Sequence, residues 1–115
     1  MVKSSKFIIF TYLYILIFIS NAWAIESAAH KVEVAKCLGI IMTIKNNSSF
    51  EQINIKASKI LDLYLEKILR LDIGSIMMKE MSEEGANYIY KELNNANPDK
   101  LDKVLNKCIS TFRIG

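Results

Sequence analysis

Cys37 and Cys108 lie about 70 residues apart, and each falls on an apolar stripe with helical spacing. Around the first, Val34, Cys37, Leu38, Ile41 and Ile44 recur at intervals of three and four. Around the second, Leu101, Val104, Leu105, Cys108, Ile109 and Phe112 do the same. Two cysteines on the buried sides of a first and a last helix meet the requirement for a bridge across a closed bundle, because bonding needs α-carbons within about 7 Å. In the chain-entropy model, closing a loop of about 70 residues is worth roughly 4 kcal/mol, a large share of the roughly 5 to 10 kcal/mol expected of a small domain. The bridge is therefore expected to be structural. Neither cysteine belongs to a Cys-x-x-Cys pair, and His30 is the only imidazole, so redox-enzyme and four-ligand zinc readings lack their residues.

A paired bridge implies an oxidising compartment, and the N-terminus supplies a route to one. Lys3 and Lys6 form a short basic start, Phe7 to Ile19 is an uncharged apolar run, and Ala22-Trp23-Ala24 is a small-x-small cleavage pattern. Residues 1–24 are predicted to be a signal peptide and residues 25–115 a single domain. The apolar run is shorter than the roughly 20 residues of a spanning helix, which favours cleavage. The alternative is an inner-membrane anchor through residues 7–25, interrupted only by Ser20 and Asn21. Both readings carry the remainder across the membrane, with periplasmic location preferred and secretion second.

Beyond the leader the periodicity is helical and no alternating strand stands out. Helix one is predicted over Ser27 to Ile44 and helix two over Phe50 to Leu71. Helix two carries Ile53, Ala57, Ile60, Leu61, Tyr64, Ile68 and Leu71 on one stripe, which Leu65 and Leu69 widen. Ser48 with Glu51, or Ser49 with Gln52, forms a capping box at its start. Gly74 is placed to close helix two in the left-handed conformation, and Ser75 to cap helix three from Ile76. Ser82-Glu83-Glu84-Gly85 in the middle of that helix could divide it, since glycine costs about 1 kcal/mol in a helix interior. Asn97 and Pro98 open helix four, which runs to Phe112, with Asp99 and Asp102 near the positive end of its dipole. The expected fold is all-α: a bundle of four helices, or five if the third breaks at Gly85, stapled by one disulfide.

Charge excludes one function class. Of the formal +3, Lys3 and Lys6 belong to the leader, leaving thirteen basic residues against twelve acidic ones. With no basic cluster and only Arg70 and Arg113 as arginines, the domain lacks the electrostatic footprint of a nucleic-acid binder. Catalytic constellations are also missing from the pattern. Glu80, Glu83 and Glu84 are close in sequence and could suit glycoside cleavage, but a charged run in mid-helix is usually a solvated face. No Gly-x-Ser-x-Gly elbow accompanies His30, and Gly39, Gly74, Gly85 and Gly115 are isolated rather than clustered as in a phosphate loop.

Two features point to contact rather than chemistry. Met77, Met78 and Met81 could offer thioether sulfurs to Cu(I), with Met42 as a fourth, yet flexible methionines more often pack a core or an adaptable groove. Tyr88 and Tyr90 flank Ile89 and cannot both face one core; Tyr90 is the expected surface residue, forming a partner site with Met77 or Met78. Asn47-Ser48-Ser49 also matches the glycosylation pattern. The expected function is non-enzymatic binding of another envelope or secreted protein, as an inhibitor, immunity factor, chaperone or assembly accessory, with no cofactor. A small apolar ligand or soft metal held between helices is the alternative.

Overall fold

A computed structural model describes residues 28–114; the predicted leader, its cleavage site and the alternative anchor lie outside them. The fold is an all-α bundle. The first helix, α1, covers residues 28–47, and α2 (Glu51–Arg70), α3 (Ser75–Leu93) and α4 (Pro98–Arg113) follow in chain order. Cys37 and Cys108 are bonded, with α-carbons 5.4 Å apart. The apolar stripes converge on one core: Val34, Ile41 and Ile44 from α1, Ile53, Ile60 and Ile68 from α2, Ile89 from α3, and Leu101, Leu105 and Phe112 from α4.

α3 is continuous, so the described residues form four helices and not five. Gly85 does not break the helix because its missing side chain is used elsewhere. A methyl group on Gly85 would stand 2.1 Å from the Lys36 carbonyl oxygen of α1, and one on Gly39 would stand 1.9 Å from the Ser82 carbonyl oxygen of α3. The two helices therefore cross backbone against backbone at a reciprocal glycine pair. The gain in close packing there outweighs glycine's intrinsic helix cost of about 1 kcal/mol.

Three local expectations are corrected at the helix ends. Gly74 is not left-handed; it is the N-cap of α3 with φ −57°, and the positive φ of 53° falls on Asp72 instead. α2 ends with the Leu71 N–H donating to the Ile68 carbonyl at 3.1 Å, so the reversal comes two residues before the glycine. Ser75 is the first residue of α3 rather than its cap. The capping box before α2 does not form either. Phe50 occupies the N-cap and packs on the core, while the Ser48 hydroxyl accepts from the Phe50 N–H at 3.1 Å and so turns the chain. Asn54 reinforces that turn by donating to the Ser48 carbonyl at 2.9 Å. The start of α4 is as expected: the Asn97 side chain accepts from the Lys100 N–H at 2.8 Å with Pro98 in the first turn.

α2 and α4 are joined by polar contacts around the core. The Lys56 ammonium pairs with Asp102 and donates to Asn106 at 2.8 Å, the Tyr64 and Phe112 rings pack with centroids 5.5 Å apart, and Arg113 donates to the Tyr64 hydroxyl at 3.2 Å. Lys100 and Glu92, 2.7 Å apart, close the turn from α3 to α4.

Two measurements check this architecture. Cys108→Ala should lower the melting temperature by more than about 10 °C, the shift corresponding to a few kcal/mol on a domain of this size; an unchanged temperature would show that the bundle closes without the bridge. Gly85→Ala should destabilise by about 1 to 3 kcal/mol in denaturant titration, because the added carbon meets backbone that cannot swing aside, whereas Asp72→Gly should stabilise by about 0.5 to 1 kcal/mol by relieving a left-handed residue.

Candidate interaction surfaces and the interhelical cleft

The core's demands decide which side chains are left outside. Ile89 is 1% exposed, and each residue on a helix turns about 100° from the last, so both of its neighbours swing away. Tyr90 is 61% exposed, as expected. Tyr88, the member of the pair expected to face the core, is 57% exposed. Met77 and Met78 stand half-buried near the opposite end of α3, roughly 20 Å along the axis from Tyr90, and Met78 packs against the core. The three predicted contact residues therefore do not converge on one patch.

α2 holds a different apolar surface. Leu65 and Leu69, expected to widen the core stripe, face outward at 45% and 69% exposed, because the stripe through Ala57, Ile60 and Ile68 already fills the contact with the other helices. Leu63 is exposed on the same helix, and Ile76, in the first turn of α3 just across the short connection, is 74% exposed. Leu65 and Leu69 thus share one exposed flank of α2, with Ile76 exposed at the start of α3, whereas Leu63 lies on the opposite flank, about 160° around the helix from Leu65.

A cleft of about 220 Å³ opens over the disulfide. α1 contributes Glu33, Lys36, Cys37 and Ile40, and α4 contributes Val104, Lys107, Cys108 and Thr111. Each helix presents residues spaced i, i+3, i+4 and i+7, one continuous face, with its cysteine third in the series. Tyr88 of α3 reaches the same cleft, which explains its exposure.

The remaining candidates separate. Glu80, Glu83 and Glu84 are exposed, and Glu84 pairs with Lys36 at 3.3 Å beside the glycine crossing. His30 is half-buried on α1, and among the described residues no group of three or more His, Cys, Asp or Glu side chains is placed to hold a metal. Met77, Met78 and Met81 are all half-buried, and Met42, on α1, is exposed. Asn47 is exposed at the end of α1, its amide donating to the Thr43 carbonyl at 3.0 Å. The hydrogen bond to Glu92 and its negative charge hold the Lys100 ammonium above its ordinary pKa. Among the described residues no helix is long and apolar enough to cross a membrane. The chain matches no family model, no curated protein and no solved structure at a level that carries an inference.

The cleft escaped the sequence reading because it depends on the relative rotation of α1 and α4. A repeated dipeptide was its visible trace: Lys36-Cys37 and Lys107-Cys108 place a lysine beside each bonded cysteine.

Proposed function

We propose that the protein is an exported, non-enzymatic binding factor that engages another envelope or secreted protein through the apolar corner formed by the second half of α2 and the start of α3. The observation that carries this reading is the exposure of Leu65 and Leu69 on one flank of α2, with Ile76 exposed at the start of α3, on a bundle whose core is already closed. Exposed aliphatic side chains grouped in this way are a feature of contact surfaces, where burial on a partner removes them from water at about 25 cal/mol per Å². Export is supported by the basic, apolar and small-residue succession of residues 1–24 and by the disulfide, whose chemistry belongs to oxidising compartments.

The test uses the chain as it is expressed in its native cell, chemically crosslinked before extraction. A defined partner should be recovered with the wild-type protein and lost with Leu65→Asp/Leu69→Asp, while the melting temperature stays within a few degrees because both positions are exposed. Recovery of the same partner with the double variant, or of the protein alone, would contradict the reading.

A further inference from the structure

The cleft between α1 and α4 is independent of the apolar corner, and its chemistry is more specific. Its floor is apolar, formed by the bonded cysteines with Ile40 and Val104. The disulfide fixes the separation of the two walls, so the cleft exists before any ligand arrives, and binding need not order it. Its charged side chains fall into two groups. Lys36 is already engaged by Glu84. Glu33 and Lys107, by contrast, make no ion pair among the described residues. One carboxylate and one ammonium therefore stand over a shared apolar floor without neutralising each other.

From this we infer that the cleft binds a small zwitterion bearing an apolar side chain, of the class of a free aliphatic amino acid or a short aliphatic peptide. Glu33 receives the ligand's ammonium, Lys107 its carboxylate, and the aliphatic group lies on Ile40 and Val104. The cleft, about 220 Å³ and open to solvent, has room for an aliphatic side chain with the charged groups at its mouth. Charge-assisted hydrogen bonds at both ends make the recognition depend on the two charges together, whereas a neutral apolar molecule satisfies neither. No part of this inference requires a protein partner, so it stands or falls apart from the proposal above.

The experiment is an NMR titration of the oxidised protein with L-leucine and with L-leucyl-L-leucine, using N-acetyl-L-leucinamide as the uncharged control. At least one zwitterion should give saturable shifts at Ile40, Val104 and Thr111 with a Kd of about 1 mM or tighter, and the control should bind at least about tenfold more weakly. Binding of leucine identifies a free amino acid as the source; binding of the dipeptide alone identifies a peptide. Glu33→Lys and Lys107→Glu should each weaken binding by about tenfold, and the double exchange should restore it with the ligand reversed. Equal affinity for the control, or no saturable shift with either zwitterion, would overturn the inference. So would single variants that leave the affinity unchanged.

Discussion

The covalent tie between Cys37 and Cys108 is the constraint on which the rest of this bundle depends. It joins the first described helix to the last, so every intervening turn lies inside one closed loop of chain. A domain of this size buries a smaller share of its surface than larger ones do, and its core alone leaves little margin over chain entropy. Restricting the unfolded ensemble supplies what additional apolar surface would otherwise have to provide. The same tie fixes the relative position of α1 and α4, and that position determines both the burial of Leu105 and Phe112 and the width of the cleft above the sulfurs.

The other close constraint is steric. Gly39 and Gly85 let α1 and α3 approach until backbone meets backbone, with Lys36 and Glu84 paired at the edge of the crossing. Drawing α3 in so tightly turns Ile89 into the core and leaves Tyr88 and Tyr90 on either side of it in solvent. Surface and core are in this sense one decision. With the Ala57–Ile60–Ile68 stripe of α2 turned into the core and α4 packed beside it, the flank of α2 bearing Leu65 and Leu69 is left exposed, and that flank is where a partner is proposed to bind.

Much of the fold was legible in the sequence because it rests on local and periodic signals. The four helices, the stripe on α4, the Asn97–Pro98 start and the pairing of the cysteines all follow from spacing at 3.6 residues per turn and from backbone donors that need partners. What escaped depends on how helices meet. Gly85 looks like a helix breaker when only its own propensity is weighed, and its role emerges only with Lys36 behind it. The left-handed residue fell on Asp72 rather than Gly74 because α2 stops at Arg70, four residues before the glycine. Leu65, Leu69 and Tyr88 were misplaced for a related reason: a stripe shows which face is apolar but not how wide a strip its neighbours cover. The cleft, formed from two correctly read helices, required their mutual rotation.

The most direct test of the bridged bundle is mass spectrometry of the protein isolated from its native compartment, denatured and alkylated without reductant. A bundle closed by Cys37–Cys108 predicts a mass two hydrogens below that of the dithiol and no alkyl group added. Addition of two alkyl groups, one at each cysteine, would contradict it.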